Sequence, residues 1–154
     1  MIEKGARILF VLYIMSLCWI LFIQPSATYS RIAQRSQQQQ HNLVPFKTIK
    51  RYISTYHDYY FYHGMQSWLM NVGGNIVLYI PFGLLLPISS AYFRKKIGLV
   101  PLVGALWIIF SEVAQSVFRI GIMDIDDFIL NFGGLLVGVL LFLASKRLII
   151  KILQ

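Results

Sequence analysis

Four long apolar segments divide the sequence, and short polar stretches separate them. The segments cover residues 8–25, 68–93, 97–118 and 127–144. A helix needs about 20 residues to cross the hydrocarbon core of a bilayer, and each segment is about that long. The segments do not alternate between apolar and polar side chains, as the strands of a membrane barrel must. Since only helices and closed barrels satisfy their backbone in lipid, the pattern predicts four transmembrane helices.

The composition favours a membrane protein over a soluble domain. Hydrophobic residues make up 57% of the 154 residues and charged residues 13%, whereas a soluble domain has roughly 25% charged residues. The net charge is +8, but the cations mostly flank the apolar segments, which is typical of topology signals and not of a nucleic-acid surface. We therefore predict an all-α, polytopic helical bundle in the cell membrane, with residues 1–154 forming a single domain.

Basic clusters predict the orientation of this bundle. Lys4 and Arg7 precede the first segment, residues 94–96 (RKK) fill the turn between the second and third, and residues 146–151 carry further cations after the fourth. Four crossings place all three clusters on one side, and short basic loops stay in the cytoplasm. We therefore expect both termini inside and the long first loop, residues 26–67, outside, although this loop is itself basic.

The long first loop contains a helical pattern of its own. Between residues 46 and 56, cations lie at some positions around the helical turn and apolar or aromatic side chains recur at helical spacing at the others. These apolar and aromatic residues are Ile49, Tyr52, Ile53 and Tyr56. This pattern predicts a short amphipathic helix that lies in the membrane interface.

Polar side chains inside the apolar segments are the candidate functional residues. A charged group within a bilayer normally faces the bundle interior or a wet cavity. In the third segment three such residues share one helical face at spacings of i, i+3 and i+7, and in the second and fourth segments polar residues recur every four positions. The candidates are Asn71 and Asn75, then Glu112, Gln115 and Arg119, and finally Asp127 and Asn131.

The predicted orientation places these candidates at one end of the bundle. The third helix would run outward, and a rise of 1.5 Å per residue puts Glu112 about 22 Å along it, near the outer leaflet. Asn75 and Asp127 fall in the outer turns of their helices. We therefore expect one polar cluster in the outer third of the bundle, which serves either as hydrogen-bonding glue between helices or as a ligand site.

Three aspartates lie at the start of the fourth segment or just before it: Asp124, Asp126 and Asp127. Alternate carboxylates can bind a divalent cation, but no second ligand set of recognised spacing accompanies them, so we predict no metal. The favoured interpretation is helix capping, with Asp126 as the N-cap and Asp127 in the first turn. Asp124 is retained as a candidate ligand-binding residue.

Small residues indicate where helices approach each other closely. Gly134 and Gly138 form a small-xxx-small pair, and Gly73 and Gly74 are candidates for the same role in the second segment. Such pairs allow two helix backbones to come into contact.

Four short patches combine the polar candidates with prolines and glycines, in order along most of the chain. They are residues 42–46 (NLVPF), 75–83 (NIVLYIPFG), 112–115 (EVAQ) and 124–134, where DIDD is followed by Asn131 and a glycine pair. This ordered set resembles the VanZ family. The resemblance implies a small polytopic membrane domain of the bacterial cell envelope, linked in some members to lower susceptibility to lipoglycopeptides such as teicoplanin. It implies no catalytic residues.

We expect the polar cluster to bind a polar headgroup, either of a lipid-linked cell-wall component or of a lipoglycopeptide. Arg119 would meet a phosphate, whereas Glu112 and Asp127 would meet hydroxyls or amines. Membrane lipids are the other expected partners, and no cofactor or nucleic acid is expected. Two alternatives stay open: an enzyme that uses Glu112 or Asp127 as a general base, and a structural subunit that binds another membrane protein through the Gly134 face.

Overall fold

The fold is a bundle of membrane-spanning helices. A computed structural model of the chain describes residues 2–23, 42–57, 69–118, 120–121 and 123–153. Within these ranges four helices are long and apolar enough to cross a membrane: Glu3–Ile23, Asn71–Ser89, Leu99–Val117 and Ile125–Lys146. The prediction of an all-α, four-span bundle is confirmed, and the chain is a multi-pass membrane protein.

The described ranges contain six α-helices. They are α1 (Ile2–Cys18), α2 (Lys47–His57), α3 (Gly74–Ser89), α4 (Ala91–Lys95), α5 (Leu99–Val117) and α6 (Ile125–Leu153). The predicted helix in the first loop is therefore present as α2. Two π-helical turns extend the spans, one after α1 and one before α3: Trp19–Ile23 and Leu69–Gly73.

The second span ends earlier than its apolar segment predicts. Helix α3 stops at Ser89 because Ser90 is extended, with φ −139° and ψ 120°. Two arginines satisfy carbonyl groups at this end. Arg7 Nε donates to the Ser89 carbonyl at 3.0 Å, and Arg94 Nη1 donates to the Ile88 carbonyl at 3.2 Å. The cations that flank the spans thus also cap a helix C-terminus, where positive charge is favourable.

The last helix begins before its apolar segment, which predicts a start at residue 127. Helix α6 starts at Ile125, and Oδ1 of Asp124 accepts the backbone N–H of Asp126 at 2.9 Å. This is the geometry of an N-cap, in which a short side chain accepts the N–H of the second helical residue. The prediction that Asp126 caps α6 is therefore wrong, and the cap is Asp124.

Helices α3 and α6 meet at their backbones. Gly134 faces Ile76 and Gly138 faces Ile80, so the two helices run in the same direction. A Cβ atom on either glycine would overlap the facing carbonyl oxygen. The small-xxx-small pair therefore contacts a helix of its own chain. The alternative that the Gly134 face binds another membrane protein is wrong, because α3 already covers that face.

Gly73 and Gly74 do not share this role. They lie where the π-helical turn meets α3, and a Cβ atom on either would meet no atom within 4 Å in the described chain outside its own helix. Their predicted role in close helix packing is wrong.

Buried side chains from all four spans meet in one core. Its largest members include Leu17, Tyr79, Phe82, Ile108 and Leu135. The hydroxyl of Tyr79 lies 3.3 Å from Oγ of Ser111, so this buried tyrosine has a polar partner. Buried polar groups of this kind need such partners because no water reaches them.

Candidate functional site

The segment that precedes α2 lies beside the loop that precedes α6. The backbone N–H of Asn42 donates to the Met123 carbonyl, and the N–H of Ile125 donates to the Asn42 carbonyl, both at 3.0 Å. Nδ2 of Asn42 donates to Oδ1 of Asp124, also at 3.0 Å. The first and the last of the four sequence patches are therefore in direct contact.

Two aspartates hold the start of α2. The Thr48 hydroxyl donates to Oδ2 of Asp124 at 2.6 Å. The fully buried carboxylate of Asp126 accepts three backbone N–H groups, from Phe46, from Thr48 at 2.7 Å and from Ile49 at 3.1 Å. Asp126 therefore caps α2, a helix from a distant part of the sequence. We call this set of residues the aspartate clasp: Asn42, Phe46, Thr48, Ile49, Asp124 and Asp126.

The clasp accounts for the burial of a charged side chain. A buried carboxylate is costly unless hydrogen bonds satisfy it, and the first N–H groups of a helix are donors without intrahelical acceptors. Phe46 has a φ of 64°, which is uncommon for a residue other than glycine, and its N–H is one of the three that reach Asp126. We therefore interpret Asp126 as a structural residue that fixes the position of α2.

Two further carboxylates lie inside the membrane spans, next to the clasp. Oδ1 of Asp127 accepts Nδ2 of Asn75 at 2.8 Å, which links α6 to α3. The carboxyl group of Glu112 on α5 interacts electrostatically with those of Asp127 and Asp124. In the part of the chain that the structure describes, neither Glu112 nor Asp127 forms an ion pair with a lysine or arginine. We call Glu112 and Asp127 the carboxylate pair.

Asn131 lies one helical turn beyond Asp127 on α6. Its side chain is 4% exposed, and its Oδ1 has no hydrogen-bond partner among the described residues. A buried acceptor without a donor costs about 1–3 kcal/mol. Asn131 therefore remains a candidate ligand-binding residue beside the carboxylate pair.

Two of the other sequence-predicted candidates, Asn71 and Gln115, have positions that differ from the prediction. Asn71 is exposed in the π-helical turn before α3. A π-helical turn has more residues per turn than an α-helix, so Asn71 does not stay on the face of Asn75. Nε2 of Gln115 donates to the Leu21 carbonyl at 3.0 Å and joins α5 to the end of the first span. Arg119 lies outside the described residues.

A crevice of about 200 Å³ opens beside Glu112 and Asp124. Six of its eight lining residues are apolar. They come from α5, from α6 and from the segments that precede α2 and α6. These residues are Leu43, Ile109, Val113, Met123, Ile125 and Phe128. The carboxyl groups of Glu112 and Asp124 thus lie beside apolar walls at the same end of the bundle.

Sequence reasoning missed Thr48 and the six apolar crevice residues. Thr48 had one usable signal, because it lies two positions after residues 42–46 and in the first turn of a predicted helix, where N–H groups need acceptors. The crevice residues had none, since an apolar side chain that lines a crevice has the same sequence pattern as one that faces lipid.

The spans and the polar end together define a small multi-pass helical protein of the cell membrane. The VanZ/LLP1 family model matches residues 10–150, and the chain belongs to this family. The chain is 28% identical over 144 residues to Protein VanZ of Enterococcus faecium, an alignment that covers 92% of this chain and 76% of that protein. No solved structure matches the chain. The resemblance carried by the four patches is confirmed.

Proposed function

We propose that this protein binds the polar headgroup of a cell-envelope amphiphile in the outer leaflet and thereby lowers susceptibility to teicoplanin. The observation that carries the proposal is the carboxylate pair. Glu112 and Asp127 interact electrostatically with each other inside membrane spans, without a cation partner in the described chain. Ionisable groups in this position are costly and mark functional sites by default, and a ligand that supplies hydrogen-bond donors would offset the cost.

The chemistry of the surrounding residues favours a ligand with hydroxyl or amine groups. Nδ2 of Asn75 donates to Oδ1 of Asp127 and so positions this carboxyl group, and Asn131 adds a buried acceptor one turn away. Three acceptors at one end of the bundle match a headgroup that is rich in donors. We assign the phosphate of the same headgroup to Arg119 on the basis of sequence alone.

The orientation of the bundle is part of the proposal. Glu3, Arg7 and Arg94 lie together at the end of the bundle opposite the clasp, and residues 94–96 and 146–151 add further cations. Short basic segments stay in the cytoplasm. We therefore place the carboxylate pair in the outer leaflet, where lipid-linked wall precursors and acylated drugs are found.

The link to teicoplanin rests on the family. Teicoplanin carries an acyl chain that can place it at the membrane, whereas vancomycin carries none. A protein that alters the outer surface of the membrane should therefore affect the acylated drug more strongly.

Expression in a susceptible Gram-positive host tests the proposal. We expect lower susceptibility to teicoplanin and little change toward vancomycin. Glu112→Gln and Asp127→Asn each remove an ionisable carboxyl group and nearly keep the shape, so each should abolish the effect at unchanged protein levels. Glu3→Gln is the matched control, because Glu3 pairs with Arg7 at the opposite end.

Two results would contradict the proposal. Equal protection against both drugs would indicate a general response of the cell wall. Undiminished protection by both Glu112→Gln and Asp127→Asn would assign the carboxylate pair a purely structural role.

A further inference from the structure

The walls of the crevice beside Glu112 fit hydrocarbon better than a headgroup. Six of the eight lining residues are apolar. Of the two polar ones, Asp124 has its carboxylate engaged in the clasp by Asn42 and Thr48. A pocket for a polar group places several hydrogen-bonding side chains around its ligand, and these walls provide only Glu112, at one side.

One wall continues into the lipid-facing surface of the bundle. Ile109 and Val113 lie on the span Leu99–Val117 and are 48% and 45% exposed. Phe110, beside them on the same helix, is 60% exposed. Apolar side chains exposed on a membrane span contact acyl chains, which are as apolar as they are. The crevice therefore adjoins the hydrocarbon region, and a chain can enter it from the side without crossing a polar surface.

The opposite wall is held in place by the clasp. Leu43 is 64% exposed, and it follows Asn42, whose backbone is bonded to Met123 and Ile125. Met123 and Ile125 themselves line the crevice. The polar bonds of the clasp thus fix three apolar side chains at the mouth of the crevice, so the cavity is largely formed before a ligand binds, which reduces the entropic cost of binding.

We propose that the crevice binds one acyl chain of a phospholipid from the surrounding leaflet, which enters between Leu43 and Val113. The inference rests on the proposed function and deepens it. The ligand of the polar end is then an acylated amphiphile, with its chain in the crevice and its headgroup beside Glu112 and Asp127. The volume of about 200 Å³ holds a segment of one chain and not a whole lipid.

Fluorescence quenching by brominated lipid tests the proposal. The background is a full-length protein in which Trp19, Trp68 and Trp107 are replaced by Phe. One reporter is Leu43→Trp, and its matched control is Val44→Trp, the next residue, which is 58% exposed and does not line the crevice. Both proteins are reconstituted into vesicles of phosphatidylcholine brominated in the middle of its acyl chains.

A chain in the crevice should quench the reporter more than the control. Bromine quenches tryptophan fluorescence only at short range, and a chain in the crevice would contact the side chain of Leu43→Trp, so we expect about twofold stronger quenching of Leu43→Trp than of Val44→Trp. Val113→Phe fills the crevice from α5 and should lower the quenching of Leu43→Trp to the control level. Met123→Phe fills it from the loop and replaces the first variant if that protein fails to fold. Equal quenching of the two reporters, or quenching that no folded filling variant reduces, would overturn the proposal.

The two proposals can fail separately. Equal quenching of the reporters, together with loss of teicoplanin protection in Glu112→Gln, would refute the acyl-chain site and support the headgroup site. Selective quenching of Leu43→Trp, together with full protection by Glu112→Gln and Asp127→Asn, would support the acyl-chain site and refute the proposed function.

Discussion

The buried carboxylate of Asp126 accepts the backbone N–H of Thr48 at 2.7 Å, although 78 residues separate them in the chain. This contact anchors an amphipathic helix to the bundle of spans. Lys47 and Lys50 are exposed on α2, and so is the apolar side chain of Ile53. The first turn of α2, a helix whose sequence pattern predicts a position in the membrane interface, is thus held against the bundle by polar bonds.

Replacing Asp126 by Asn should destabilise the folded protein. The amide keeps one acceptor oxygen but turns an NH₂ group toward backbone N–H donors. A hydrogen bond to a charged group contributes about 1.5–3 kcal/mol, and three such bonds are weakened, so we expect the free energy of unfolding to fall by about 3 kcal/mol. Denaturant-induced unfolding in detergent micelles measures the change.

The neighbouring aspartate provides the control for this variant. Asp127→Asn makes the same chemical change one residue later, but it affects a single bond, to Asn75. We expect less than half the loss of stability. Equal losses in the two variants would show that the clasp is no more important to the fold than the carboxylate pair.

The contact between α3 and α6 predicts opposite outcomes for two adjacent glycines. Gly134→Ala would place a Cβ atom onto the Ile76 carbonyl oxygen, whereas a Cβ atom on Gly133 meets no atom within 4 Å outside its own helix. Overpacking of this kind costs about 1–3 kcal/mol, and alanine is favoured over glycine within a helix by up to about 1 kcal/mol. We therefore expect Gly134→Ala to lower the thermal midpoint of unfolding and Gly133→Ala to keep or raise it. Similar midpoints for both variants would contradict the close approach of the two helices.

The orientation can be tested with two cysteines that replace the same residue type. In a Cys18→Ser background, Lys50→Cys lies on α2 at the clasp end, and Lys96→Cys lies in the basic turn; both lysines are exposed. We expect an impermeant thiol reagent to label Lys50→Cys in intact cells and Lys96→Cys only after the cells are opened. The reverse labelling pattern would place the carboxylate pair in the inner leaflet and remove the basis of the proposed function.

The four spans could be predicted from sequence because lipid imposes an apolar composition over the whole length of a helix. The ends of the spans could not, since local bonds determine them. Helix α3 stops where Ser90 becomes extended, and α6 starts where Asp124 provides a cap. The hydropathy of the sequence predicts neither the extended Ser90 nor the cap at Asp124.

Sequence alone could predict the candidate site only for residues whose depth in the membrane is enough to bring them together. Asn75 and Asp127 both lie in turns near one end of their helices, and they form a hydrogen bond. The clasp could not be predicted from sequence, because Asn42 and Asp124 are 82 positions apart and no periodicity relates residues in two different loops. Asn71 was placed on the face of Asn75 because the prediction assumed a regular α-helix, whereas that turn is π-helical.

Asn71 and Asn75 therefore provide a direct test of the structural arrangement against the sequence pattern. The pattern gives both asparagines the same role, whereas in the structure Asn75 donates to Asp127 and Asn71 is exposed. Asn75→Ala removes the donor that positions Asp127. A hydrogen bond to a charged group contributes about 1.5–3 kcal/mol, which corresponds to a loss of about tenfold or more in affinity for a ligand that depends on this carboxylate. We expect Asn75→Ala to lose most of the teicoplanin protection in the expression host.

Asn71→Ala is the matched control, with the same substitution four residues earlier in the same span. We expect it to keep the protection at equal protein levels, because the amide that positions Asp127 belongs to Asn75. Loss of protection in both variants would show that the polar stripe acts as the regular helical pattern predicts. Retained protection in both would show that the bond between Asn75 and Asp127 joins two helices and does not prepare the carboxylate for a ligand. Only loss in Asn75→Ala with retention in Asn71→Ala supports a site that includes the carboxylate pair and excludes the π-helical turn.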